Sequence, residues 1–320
     1  MISANVSILP APGAAQGENA LVTADGAECA VWWRGEIPSL PGERISILGR
    51  YEATSAEAGG AVIDAACTYL RDHTGCTLVI GPMDGNTWRR YRFVTDGDTA
   101  EPPFFMEPVN APDYPAHWTA AGFTPLAGYS SALSEDLMVV DPREQRVADR
   151  LTAAGLTLRP FDITRAEEDL RAIHTLSLVS FADNYLYTPL AQEEFIDQYR
   201  RVLSYVRPEL TVLAHDSTGR LGGFLFALPN LNELQRGEPI RTVILKTVAV
   251  LPGKEWAGLG MLLVGRCQRA AAALGYKRAI HALMHDSNVS RNVSGVYAGR
   301  PIRRYTLYSR RLRPPLSDFV

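Results

Sequence analysis

A strand, a tight turn and a helix follow one another at Thr247-Val248-Ala249-Val250-Leu251-Pro252, Gly253-Lys254-Glu255-Trp256-Ala257-Gly258-Leu259-Gly260 and the alanine-rich stretch beyond. Glycines 258 and 260 have no Cβ, so the backbone there can approach an anion closely and adopt positive φ. The first amides of a helix lack intrahelical partners and point outward. The helix dipole adds roughly 0.3–1 kcal/mol in favour of negative charge. A diphosphate is the natural guest of such a turn. Two other phosphate-binding patterns are missing. A dinucleotide fingerprint needs a third glycine at the right step, but the next is Gly265, and a Walker A loop needs Gly-Lys-Ser/Thr where Lys254 is followed by Glu255. Read alone, the run fits a plain strand-to-helix turn with closely packed glycines as well as it fits an anion cradle.

The flanking elements must position this turn. Residues 242–251 form a long apolar strand ended by Pro252, and residues 259–273 a helix closed by Gly275. A strand over 278–284, a polar helix from 286 to about 297 and a final strand over 303–312 follow. Upstream, residues 157–162 predict a strand, and Leu170, Ile173, Leu176 and Leu178 predict a helix over 165–181. Residues 211–215 and 221–228 flank the turn Asp216-Ser217-Thr218-Gly219 as a hairpin. A fainter version of this order occupies 45–51, 60–72, 77–80 and 114–121, which points to an internal duplication. The charged segment 141–155 predicts a helix at the junction, giving domains 1–145 and 146–320; residues 1–27, rich in Ala, Gly and Pro, read as a lead-in or irregular edge.

Bulk properties agree with a two-domain globular chain. Its 320 residues suffice for two cores, and 46% are hydrophobic and 21% charged. A net charge of -3 draws the molecule to neither nucleic acid nor anionic membrane. Cys29, Cys67, Cys76 and Cys267 form no metal or disulfide pattern, which suits a reducing compartment. The N-terminus has no signal-like pattern and no apolar run reaches about 18 residues, so a cytoplasmic protein is expected. His281 and His285, four apart on a strand, stand about 13 Å from each other and cannot share one zinc, so no metal is expected. Trp88-Arg89-Arg90-Tyr91-Arg92-Phe93 mixes bases and aromatics, but its alternation fits a half-buried strand with arginines outward.

Val250-x-Pro252, then Gly258-x-Gly260 and a helix, then a strand and an Asn288-bearing helix, resemble the GNAT superfamily of acyl-CoA-dependent N-acyltransferases over about residues 157–313. Gly299 with Arg304-Tyr305-x-x-Tyr308 is similar to that family's closing segment. In the first half, Phe104-Phe105-Met106-Glu107-Pro108-x-Asn110 and Gly122-Phe123 echo it, with Glu57-Ala58-Gly59-Gly60 as a faint phosphate-loop counterpart.

The resemblance implies an α/β fold of two tandem GNAT-like domains, each a twisted mixed sheet flanked by helices, with the first domain degenerate. It implies an N-acyltransferase, foremost an N-acetyltransferase, acting from acetyl-CoA or another acyl-CoA on a primary amine of a small molecule or peptide. A catalytically silent CoA-binding or scaffolding protein of the same fold is the alternative, and a homodimer is left open. The strand at Val248, Ala249 and Val250 would part from its neighbour and receive the pantetheine arm. Lys254, Trp256, Ala257, Gly258, Leu259, Gly260 and Met261 would hold the diphosphate, and Asn288 would touch the arm. Two positions depart from the family pattern: Glu255 stands where Arg or Gln is usual, and the slot of the thiolate-protonating tyrosine holds Gly295, leaving Tyr297 two places away as the candidate acid. An amine nucleophile, with a pKa near about 10.4, must lose a proton. Glu233 and His285 are the candidate bases, and Lys246 lies in a pair, faces the cleft or takes an ordinary edge position.

Overall fold

A computed structural model describes residues 6–10, 19–287, 294–297 and 299–312. The first half builds β1 (Ser7–Pro10), β2 (Ala20–Ala24), β3 (Ala27–Trp32), β4 (Ile45–Ala53), helix α1 (Ala56–Thr74), β5 (Leu78–Gly81), β6 (Phe93–Gly97), α2 (Tyr114–Ala120) and β7 (Thr124–Ser134). The second adds α3 (Glu144–Ala153), β8 (Thr157–Pro160), α4 (Ala166–Ser180), α5 (Gln192–Arg200), β9 (Val212–His215) and β10 (Leu221–Pro229). It ends with α6 (Leu231–Gln235), β11 (Thr242–Val250), α7 (Leu259–Ala273), β12 (Arg278–His285) and β13 (Arg300–Arg311).

Among the described residues all thirteen strands join one mixed sheet, in the order β1-β2-β3-β4-β5-β13-β7-β12-β11-β10-β9-β8, with β6 also on β13. One unit stands in it twice. An antiparallel run leads to β4 or β11, a helix crosses over, and β5 or β12 returns parallel to the first strand. Parallel neighbours require such a crossover. The last strand of the chain, β13, lies between β5 and β7 of the first half, with Tyr308 opposite Gly81 and Tyr305 opposite Tyr129. Strand β7 in turn pairs with β12, Leu133 opposite Ile280. The two repeats are therefore sewn together at the centre of the sheet, where a cut at residue 145 separates them along the chain only.

Alternation along the central strands sends side chains to two cores. Val243, Leu245 and Ala279 pack beneath Leu259, Leu263, Cys267 and Ala271 of α7, residues four apart on one helical face. Ile244, Ile280 and Ala282 point to the opposite face, against Phe104 and Ile302. Among the described residues no helix is long and apolar enough to cross a membrane.

Two expectations are corrected. Residues 20–27, read as part of a lead-in or irregular edge, instead supply β2 and the start of β3, paired from Ala20↔Val31 to Ala24↔Ala27. Residues 88–92 are not a strand with outward arginines: β6 begins at Phe93, Tyr91 makes only an isolated bridge to Met83, and Arg92 turns inward at φ +67. The alternation was that of a turn whose aromatics and arginine both find cover inside.

Candidate functional site

Strands β11 and β12 run side by side only from Thr242↔Arg278 to Leu245↔His281. At the next residue β11 bulges: Leu245 faces Ala227 and Thr247 faces Phe226, so Lys246 is the extra residue. A bulge bends its strand and increases its twist. Strand β12 shifts register at the same level, between His281 and Met284, where Leu283 sits at φ +60 and donates its amide to Ser131 Oγ at 3.0 Å. Beyond this point the strands part.

The ladder on the other side of β11 decides what faces the gap. The Leu251 amide donates to the Gly222 carbonyl at 2.9 Å, which makes Gly223↔Val250 and Leu225↔Val248 the non-hydrogen-bonded pairs. The N–H and C=O of Val248 and Val250 therefore point away from β10, into the gap. The Ser180 hydroxyl donates to the Val250 carbonyl at 3.0 Å. Among the described residues the other three groups have no ladder partner. Ala249 differs: its backbone groups bond to β10, and its side chain is buried.

The strand leads through Leu251 and Pro252 into the turn. Gly258, at φ +84, precedes α7 in the left-handed conformation; no side chain caps the helix and no acid lies in its first turn. Leu262 is the first residue of α7 whose amide bonds back, to the Gly258 carbonyl at 3.1 Å. The amides of Leu259, Gly260 and Met261 have no partner among the described residues. Arg150 of α3 holds the turn from behind, donating to the Glu255 carbonyl at 3.3 Å and to the Ala257 carbonyl. Carbonyls thus face α3 and amides face out. The two glycines serve different ends. A Cβ on Gly258 would lie 2.8 Å from Val147 Cγ1, whereas one on Gly260 would meet only Val248 and Val250 side chains, at 3.8 Å. Gly258 is needed to make the turn, and Gly260 keeps open the space between turn and strand edge.

Fewer amides of this turn are free than the sequence suggests. The Trp256 amide bonds to Gly253 and the Ala257 amide to Lys254, and the Trp256 ring is buried over Gly222. Lys254 and Glu255 are exposed; the Glu255 carboxylate lies back over Gly253, where a Cβ would stand 2.4 Å from either oxygen.

Of the three candidate acid–base residues only His285 lies on a strand that borders the gap, on β12 beyond the last pair with β11. Tyr297 is fully buried, donates its hydroxyl to the Met261 carbonyl at 3.0 Å, and has its pKa raised, by desolvation first and then by Glu144. It braces α7 through the space left by Gly265, where a Cβ would lie 2.8 Å from the hydroxyl. Glu233 is 3% exposed and saturated by donors from Arg241, Thr242 and Arg278, which makes it an anchor and not a base. His285 ends β12, half-buried against Tyr129 with rings 4.9 Å apart, and its Nδ1 lies 2.8 Å from Ser287 Oγ. Burial first, then the Arg92 charge, push its pKa below the usual histidine value against the opposing pull of Asp286. Asn288 lies outside the described residues. The Tyr297→Phe variant is expected to lose about 1 kcal/mol of stability, as for one buried hydrogen bond, with turnover per folded molecule unchanged. Thermal melts beside steady-state rates check this.

The first repeat has the same parting of strands, but the chain fills it. Pairing of β4 with β5 ends at Ile47↔Ile80; Met83 then donates to the Leu48 carbonyl at 2.9 Å, and a Cβ on Gly49 would lie 2.0 Å from the Met83 carbonyl oxygen. Its helix start is closed as well. The Ser55 side chain caps the Ala58 amide at 3.2 Å, Glu57 adds a negative charge in the first turn, and Gly59 packs against the Tyr51 hydroxyl.

No family model and no curated protein matches the chain. Solved structures do resemble it. The GCN5-related glucosamine N-acetyltransferase region of a fungal multi-domain GH3 β-N-acetylglucosaminidase is 12% identical with a TM-score of 0.55, over 91% of this chain and 32% of that one. A GCN5-related N-acetyltransferase from Sphaerobacter thermophilus is 13% identical with a TM-score of 0.53, over 94% and 82%. A probable N-acyltransferase from Enterococcus faecalis V583 is 10% identical with a TM-score of 0.52, over 91% and 61%. The chain spans about a third of the first of these. What they share with it is the fold, which is that of the GCN5-related N-acetyltransferases along nearly the whole chain.

Proposed function

We propose that the chain is an acyl-CoA-dependent N-acyltransferase, foremost an N-acetyltransferase, that passes the acyl group directly to a primary amine of a small molecule or peptide. One observation carries this reading: the freed edge of β11 at Val248 and Val250 runs straight to the uncapped start of α7. A ligand with an amide-bearing arm and a diphosphate satisfies both sets of orphan groups at once, and the bare Gly260 leaves it room. Bound there, acyl-CoA would supply a thioester carbonyl activated for attack. The amides of Gly258 to Met261 hold its phosphates, the Val248 edge pairs with its arm, and the Val250 N–H serves as an oxyanion donor. Asn288 is assigned to the arm by the resemblance alone.

His285 and Ser287 take the proton. The acceptor N–H passes its proton to Ser287 Oγ as that hydroxyl gives its own to His285 Nδ1. A depressed pKa keeps the imidazole neutral near pH 7, so the rate is expected to fall as pH drops through a value below about 6.5. The first repeat, its own gap filled, acts as a wall of the cleft. The burial of Tyr297 favours a second reading, a protein that binds CoA without turnover.

Calorimetric titration with acetyl-CoA, followed by thiol release over an amine panel, separates the two. Binding with release establishes the transferase, and His285→Gln should then slow release about a hundredfold at unchanged acetyl-CoA affinity. Binding without release on any amine favours the silent protein. Absence of binding sinks both.

A further inference from the structure

Arg92 is a charged group to which acyl transfer, so described, gives no direct contact. It is 6% exposed, yet its Nε and Nη1 are buried without a hydrogen-bond partner. Among the described residues no carboxylate stands within ion-pairing distance of it. Its surroundings are aromatic: the guanidinium lies 4.0 Å from the Tyr91 ring, 4.2 Å from Tyr129 and 5.7 Å from Tyr305. Ring faces stabilise a cation but leave its in-plane donors open. A guanidinium cannot discharge by losing a proton, and a buried charge without hydrogen bonds is strongly disfavoured.

The buried acid beside Lys246 and Tyr305 is already committed. Glu107 accepts from the Tyr305 hydroxyl at 2.5 Å and the Phe104 amide at 3.0 Å, and pairs with Arg303 at 3.3 Å. A further basic group adds to the imbalance: burial first, and then the Arg92 charge, bring the Lys246 amine down to about 8. Two cations, Lys246 and Arg303, thus already act on that carboxylate, and Arg92 adds a third charge beside Lys246.

The position of this surplus charge is informative. Lys246 is the bulge residue at which the gap opens. Tyr129, under Arg92, pairs in register with His285. Phe104, three residues before Glu107, covers Ile244 and Ala282 on the sheet face opposite α7. The unpaired cation therefore lies over β7 and β13, near enough to act on both Lys246 and His285 at the borders of the gap.

We propose that Arg92 binds a carboxylate of the acceptor, so that the substrate is an amine carrying a carboxylate, as an amino acid does. The proposal rests on the acyl-transferase reading for the word acceptor; the anion site itself does not need it. A planar carboxylate matches a planar guanidinium slotted between rings, whereas a tetrahedral phosphoryl group needs donors on sides the rings occupy.

The test uses L-amino acids and their C-terminal carboxamides, first as ligands in thermal melts and then as acceptors with acetyl-CoA. The acids should raise the Tm of the wild-type chain and the amides should not. Arg92→Gln should abolish that shift and raise KM for acids about a hundredfold, leaving the acetyl-CoA affinity unchanged. Arg92→Lys, which keeps the charge but not the fork, should fall between. The ligand-free Arg92→Gln chain should melt no lower than wild type, because an unpaired buried charge has been removed. Three results overturn the proposal: amides serving as well as acids, a preference that survives Arg92→Gln, or a ligand-free Arg92→Gln chain that is much less stable. If acetyl-CoA fails to bind, the transferase reading falls alone, since the melts still decide the anion site.

Discussion

Gly260→Glu is expected to leave the chain folded and to abolish acetyl-CoA binding. The backbone at Gly260 is helical, and a side chain there begins 3.8 Å from its nearest neighbours, so nothing in the turn resists it. Its carboxylate, however, would stand at three amides that have no other negative partner. Two unit charges about 4 Å apart near a protein surface repel by about 4 kcal/mol, roughly a thousandfold in affinity. Gly258→Ala gives the opposite signature. A left-handed φ of +84 costs a side chain about 1–2 kcal/mol, and the new Cβ would press on Val147 at 2.8 Å. Its melting temperature should fall while the folded fraction keeps most of its affinity. Calorimetry and thermal melts on both variants settle the matter: wild-type affinity in a folded Gly260→Glu chain would remove the diphosphate from this turn.

The contrast shows which parts of the site are legible in a sequence. Local rules sufficed for the turn, because Pro252, Gly258 and Gly260 act through their own backbones. They sufficed for the repeat as well, since β4–α1–β5 and β11–α7–β12 each carry strand and helix periods in one continuous stretch, 45–81 and 242–285. They failed where partners are distant in sequence. Arg150 fixes the Ala257 carbonyl from 107 residues away, and its helix gave no sign of the contact. The bulge at Lys246 follows from pairing with Phe226 and Ala227, which no periodicity in β11 announces. Arg92 was misplaced for a related reason: the aromatics that cover it, Tyr129 and Tyr305, arrive on β7 and β13. Tyr297 has the right residue type near the right place in the family pattern, but its hydroxyl is spent on the backbone of α7.

Glu233 offers the sharpest separation of a structural from a catalytic carboxylate. One oxygen accepts from the amides of Arg241 at 2.7 Å and Thr242 at 3.0 Å; the other accepts from Thr242 Oγ1 at 2.5 Å and from Arg278 at 3.4 Å. Thr242 and Arg278 are the first pair of the parallel β11–β12 ladder, so this one side chain pins the two strands together just before they part. Removing it in Glu233→Ala strands two backbone donors and a hydroxyl at the first rung of the ladder, while Arg278 keeps Glu101 at 3.2 Å, a loss of about 3–5 kcal/mol. The melting temperature should drop roughly 5–15 °C, and amides from Val243 to Leu245 should lose hydrogen-exchange protection. Glu233→Gln, which keeps the shape but turns an NH2 toward a donor, should fall between. A general base behaves otherwise: glutamine in its place would cut turnover by about 10²–10⁴ at an unchanged melting temperature. An unaltered melt with collapsed turnover would return Glu233 to the chemistry. The expected outcome, a weakened ladder with normal turnover in the molecules that remain folded, follows from a carboxylate that has no lone pair left to offer an amine.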